Sequence, residues 1–166
     1  KLGLIIVSAF ILFTFTYNAE YIYSQFKYVR PLDYLTGKVD RDSYVSRYRK
    51  EQAAIVEANR ILPEDARVLC LSIGDRIYYL DRSAHLAEDF YKKKNGRYSE
   101  SDLLKKLTRH QTTHILINKE VFFNWVQYQS PEDRATFANV LQNNTNLLYE
   151  KNGIRLLALH PKKRLG

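Results

Sequence analysis

The chain has 166 residues, of which 45% are hydrophobic and 27% charged, and it carries a formal net charge of +8. That length holds one compact domain and a short appendage and excludes two independent domains, while the composition excludes a disordered or low-complexity chain. A single cysteine, Cys70, excludes an internal disulfide and a multi-cysteine zinc site; within Val-Leu-Cys-Leu it reads as core.

From Leu2 to Tyr17 no residue is charged, and Leu, Ile, Val, Phe and Ala dominate. As helix this run reaches about 24 Å, short of the roughly 30 Å hydrocarbon thickness of a bilayer. It therefore reads either as the end of a span that continues upstream or as the core of a signal peptide. Two features favour the span. No Ala-x-Ala pattern surrounds Ala19, and Tyr17, Tyr21, Tyr23, Phe26 and Tyr28 form the aromatic belt of a membrane interface. With no Met in the chain and an apolar run at its start, the expectation is a piece of a longer membrane protein.

Pro31 and Gly37 end the helical pattern, so residues 29–42 read as a linker between the end of a transmembrane helix with its interfacial segment at 1–28 and a soluble α/β domain at 43–166. Tyr44, Tyr48, Ile55 and Leu62 recur at helical spacing and predict one amphipathic helix over 43–62, stopped by Pro63. Residues 66–72 form an apolar run suited to a strand buried on both faces. A short strand or extended segment is expected at 77–80, after the turn at Ile73-Gly74-Asp75. Ser99-Glu100-Ser101-Asp102 opens a helix carrying Leu103, Leu104 and Leu107, and residues 114–118 return as a second buried strand. A short helix follows at 121–128. Ser130-Pro131-Glu132-Asp133 then opens another, with a cap, a first-turn proline and acidic residues. Strand-like runs at 146–151 and 154–160 flank Asn152-Gly153, which predicts a β-hairpin. The alternation predicts a three-layer, Rossmann-like α/β sandwich with a mostly parallel sheet, right-handed crossovers and a C-terminal hairpin, behind the remnant of a transmembrane helix.

Catalytic chemistry is sparse. Ser72-Ile73-Gly74-Asp75-Arg76 has one glycine where a dinucleotide fingerprint needs three, and neither a Walker loop nor a Gly-x-Ser-x-Gly elbow occurs. His85, Glu88 and Asp89 lie close in sequence, and His110 and His114 have the spacing of two helical metal ligands. Yet His110 ends a predicted helix while His114 begins a strand, and His85 falls in an apparent loop, so these histidines read as surface or capping groups. Asp81 and Asp89 are scattered carboxylates. No catalytic, cofactor or metal residue is expected. Trp125, Phe122, Phe123 and Tyr128 form an aromatic face that is either core, the preferred reading, or a contact with embedded protein. The runs Lys92-Lys93-Lys94 and Lys162-Lys163-Arg164 lack interleaved aromatics, which speaks against nucleic acid and for a solvated face near a membrane, resting against anionic lipid.

Several segments carry a family resemblance: Arg30-Pro31-Leu32-Asp33-Tyr34-Leu35-Thr36-Gly37, Asp42-Ser43-Tyr44-Val45-Ser46-Arg47, Asn59-Arg60-Ile61-Leu62-Pro63, Val68-Leu69, and Arg76-Ile77-Tyr78-Tyr79-Leu80-Asp81. Together, over residues 1–85, they resemble the tail of bacterial polytopic glycosyltransferases of the C superfamily, the family 39-like enzymes similar to protein mannosyltransferases and the lipid A aminoarabinose transferase. The resemblance implies a parent enzyme that moves a sugar from a polyprenyl-phosphate donor, using acidic residues of an early loop that is not in this sequence. It further implies that this piece is a non-catalytic domain on the periplasmic side of the inner membrane, with the bilayer and the upstream transmembrane part as partners. Lys27, Arg30 and Lys38 after the apolar run, against Lys1 before it, point to the cytoplasm by the positive-inside rule; the extracytoplasmic side is the expectation. The alternative is a membrane-anchored binding or sensor module without enzymatic activity.

Overall fold

The computed structural model describes residues 2–74, 76–94 and 96–160; the Lys162-Lys163-Arg164 run lies outside the described residues. The chain forms two compact units, Lys1–Tyr44 and Val45–Gly166.

In the first unit, α1 (Leu2–Val29) is 28 residues long, far beyond the apolar run alone. Every residue from Gly3 to Tyr28 is exposed. The helix is long and apolar enough to cross a membrane. Its polar side chains are satisfied within the helix: Thr16 Oγ1 donates to the Leu12 carbonyl at 2.9 Å and Asn18 Nδ2 to that of Thr14 at 2.8 Å. Such internal pairing is what a helix in hydrocarbon requires, because no water is there to take these donors. Arg30, in the left-handed region at φ 48°, ends α1, and Pro31 opens α2 (Pro31–Leu35). The linker is thus partly ordered. Arg30 pairs with Asp33 at 2.9 Å, the Tyr34 ring stacks on Tyr44 at 5.4 Å, and the Tyr44 hydroxyl donates to the Val29 carbonyl at 2.8 Å.

The single helix expected over 43–62 is two, α3 (Arg41–Tyr48) and α4 (Gln52–Ile61). Residues 49–51 contain neither Gly nor Pro, and nothing local explains the break. Within the second unit α4 buries Ala54, Ile55 and Ala58 and stops at Leu62, whose extended ψ of 140° is what a following proline imposes. Strands β1 (Arg67–Leu71) and β2 (Ser83–Leu86) follow. The segment expected to be extended at 77–80 is instead a 3-10 turn over Arg76–Tyr79, and β2 lies where a loop was expected.

Next come α5 (Glu100–Thr108), β3 (His114–Asn118), α6 (Lys119–Val126), α7 (Pro131–Asn144), β4 (Thr145–Lys151) and β5 (Ile154–Leu159). Side-chain caps start three of the helices: Ser99 accepts from the Asp102 amide, Asn118 from Val121 and Ser130 from Asp133.

The sheet order is β2-β1-β3-β5-β4. It is mixed rather than mostly parallel: β2, β1 and β3 run parallel, whereas β5 runs against β3 and β4 against β5. The short Asn152-Gly153 link, with φ of 54° and 77°, brings the last strand straight back beside its predecessor, which forces antiparallel pairing. Alternate strand residues divide the core. Leu69, Leu71, Ile115, Ile117 and Leu157 pack with Leu103, Leu107, Phe122 and Phe137. Val68, Cys70, Leu116 and Leu156 pack with Ala54, Ile55 and Ala58 of α4. Phe90, Phe122 and Phe137 are almost fully buried and centre the first cluster, with Trp125 at its margin; Phe123 and Tyr128 are exposed.

Candidate functional site

Sheets with parallel strands place chemistry beyond the strands' carboxyl ends. At that position after β1, Ser72 has a left-handed φ of 55°, and its hydroxyl lies 2.6 Å from that of Tyr91. Burial pushes the Tyr91 hydroxyl up from its ordinary pKa, and its ring meets Trp125 edge-on at 4.8 Å. Strain of this kind is often kept at working sites. Here, among the described residues, no histidine or carboxylate bonds to Ser72, so the hydroxyl has no base to activate it.

The histidines come together in another way than their spacing suggests. His85 sits on β2, opposite Leu69 of β1, and its ring meets that of His110 at 5.0 Å. The Thr112 hydroxyl has a single proton and donates it to the Arg109 carbonyl at 2.7 Å, so His85 Nε2, 3.0 Å away, donates to Thr112. Burial, and then the neighbouring His110, lower the His85 pKa below its ordinary value. His114 is not part of this pair. Its Nδ1 lies 2.8 Å from Thr113 Oγ1, and burial lowers its pKa as well.

His85, His110, Glu88 and Asp89 line a cavity of about 260 Å³ beside β2, with Lys106 and Arg109. Asp89 accepts from Lys92 at 2.7 Å and from Arg109 at 2.6 Å, and these two cations hold its carboxyl below the usual carboxylate range. A carboxylate so committed is a poor proton acceptor near neutral pH. Asp81 lies elsewhere, in the turn after the 3-10 segment, and does not line this cavity. No group of three or more His, Cys, Asp or Glu side chains able to hold a metal ion occurs among the described residues.

No protein-family model, curated protein or solved structure matches the chain. Its own geometry must therefore account for the segments singled out in the sequence.

Residues 59–82 converge on one structural joint. The Asn59 side chain donates to the Tyr79 carbonyl and accepts from the Asp81 amide, each at 2.9 Å. The Arg82 guanidinium donates to the Leu62 carbonyl at 2.9 and 3.1 Å and to that of Asn59 at 3.2 Å. The open carbonyls at the end of α4 are thereby closed by the residue that leads into β2. Asn59, Leu62 and Arg82 build the fold here.

Proposed function

We propose that this chain is the non-catalytic C-terminal domain of a polyprenyl-phosphate-dependent membrane glycosyltransferase, held on the extracytoplasmic side of the inner membrane by α1. The observation that carries the reading is α1 itself, an apolar helix of 28 residues with no face buried against protein. An exposed apolar surface of that size needs lipid or embedded protein to cover it. The resemblance over residues 1–85 supplies the enzyme class. It is supported by the Asn59 to Arg82 joint, which gives the resembling segments a structural task that a shared domain would preserve. The parallel half of the sheet, β2-β1-β3, is read as the Rossmann-like element of that domain.

The side of the membrane is tested by placing a cysteine at Tyr128, which is 82% exposed, and treating intact cells with a membrane-impermeant maleimide. Cys70 is buried and its thiol is pushed up to about 12, so it adds no background. Labelling of intact cells is expected; labelling only after lysis overturns the assignment. For the chemistry, alanine at Ser72, Asp89 or His110 in the complete enzyme is expected to leave kcat for sugar transfer within about twofold. Loss of a general acid, base or nucleophile costs roughly a hundredfold or more, and such a loss at any of the three would end the non-catalytic reading.

A further inference from the structure

Next to the histidine cavity lies a second one, of about 420 Å³, whose lining is entirely charged. Its cations are Lys92, Lys93, Lys94, Lys105, Lys106 and Arg109, and the acids among the lining residues are Asp89 and Asp102. Two segments build it: residues 92–94, which follow β2, and the last turn of α5 with its C-cap. The Lys106 ammonium ties them together by donating to the Lys92 carbonyl. Part of the cluster has an internal explanation. Lys105, Lys106 and Arg109 sit where the negative end of the α5 dipole favours cations. Lys92 and Arg109 share Asp89, Lys106 pairs with Asp102 at 2.8 Å, and Lys93 reaches the buried Asp133 at 2.9 Å. These pairs leave out Lys94 and Lys105, which have no ion-pair partner among the described residues, and of the two only Lys105 is favoured by the dipole. Six cations against three carboxylates, Asp89, Asp102 and Asp133, leave an excess of positive charge around one concavity that an entering anion would offset.

The geometry points to a binding site for a phosphoryl group bearing two or more negative charges, held by Lys94 and Lys105 with Lys92, Lys106 and Arg109 in support. No aromatic side chain lines the cavity, so a nucleobase has no ring to stack on, and the apolar surface there is that of lysine and arginine stems, which leaves the charged heads to select the ligand. The recognised part is therefore the anionic head alone. A single carboxylate would neutralise little of the excess, whereas several phosphoryl oxygens can each take a lysine ammonium. The proposal does not rest on the glycosyltransferase reading.

The test uses the full chain in phosphatidylcholine nanodiscs, titrated calorimetrically with inorganic pyrophosphate. Saturable binding is expected, weakened roughly tenfold or more in the Lys94→Gln, Lys105→Gln double variant. A control removing the same charge on the other side of the sheet and at its far hairpin, Arg60→Gln with Lys151→Gln, is expected to stay within about twofold, since exposed charges at a distance are largely screened. The variants replace exposed side chains, and matching thermal unfolding confirms that they fold. A second set of discs containing phosphatidic acid separates the sources: weaker pyrophosphate binding there assigns the site to a lipid phosphate, and unchanged binding assigns it to a soluble one. Absence of saturable binding in phosphatidylcholine discs, full affinity in the double variant, or an equal loss in the control overturns the proposal.

Discussion

Arg82 closes three otherwise open contacts at the end of α4, and its planar fork suits two carbonyls at once. Arg82→Ala is expected to cost about 2 kcal/mol in chemical denaturation, and Arg82→Lys to recover only part of that, because one ammonium cannot span both acceptors. His85 and His114 both have lowered pKa values in the fold, so the unfolded chain binds protons that the folded chain refuses. Stability is then constant at high pH and falls as pH drops below about 6.5, reaching its new level once the folded values are passed. A Tm profile should show this decline, flattened in His85→Gln and flattest with His114→Gln added. The carboxylates act in a lower window. Asp89, Asp133 and Glu150 are depressed by their cationic partners, so their contribution is complete above the usual carboxylate range and is lost as pH falls through their folded values. Cys70 was legible as core because it sits within an apolar run. The His85 and His110 contact was not, since it depends on a parallel pairing that no spacing in the sequence encodes.

At the scale of elements, α1 makes a direct claim about its environment. A charge at its middle, as in Phe13→Asp, should weaken insertion by about 2.5 to 3.5 kcal/mol, read as a shift from the alkali-resistant to the extractable membrane fraction. Asp133 belongs to the first turn of α7, is buried, and accepts the Tyr98 amide at 3.0 Å as well as Lys93. Removing it with Asp133→Ala strands a buried N–H and a cation; about 2 to 3 kcal/mol of stability should go with it. Ser99 and Ser130 announced their helices because a capping hydroxyl is a local signal, read three residues at a time. The strand runs at 67–71 and 114–118 were equally plain, being apolar on both faces. β2 was missed: Ser83-Ala84-His85-Leu86 lies at the sheet's edge, half exposed, and its strand character comes from pairing with β1 rather than from its own residues. The charged cavity was half legible. Lys92-Lys93-Lys94 stood out as a run, but its apposition to Lys105 and Arg109 is a product of the fold.

On the scale of the molecule, both core clusters draw all their members from residues 54–157, so the second unit buries its own apolar surface without the first. Phe122→Ala, at the meeting point of α6, α7 and the sheet, should therefore lower the unfolding free energy of that unit by about 3 to 5 kcal/mol, with no effect on membrane extraction of the chain. The sheet has two open ends, and β4 is the longer of its outer strands. Leu147 pairs with Leu157 and Tyr149 with Leu156, which leaves Leu148 as an extra residue opposite no partner. That surplus lets Leu147 serve one face and Tyr149 the other, and it kinks the outermost rung of hydrogen bonds. A neighbouring molecule that tried to lay down a sixth strand would find its donors and acceptors out of step at this point. Deleting Leu148 restores an even ladder without moving either flanking side chain to the wrong face. The shortened chain is expected to keep its fold and to self-associate more readily in detergent, read by light scattering; unchanged association would show that the bulge does not guard this edge.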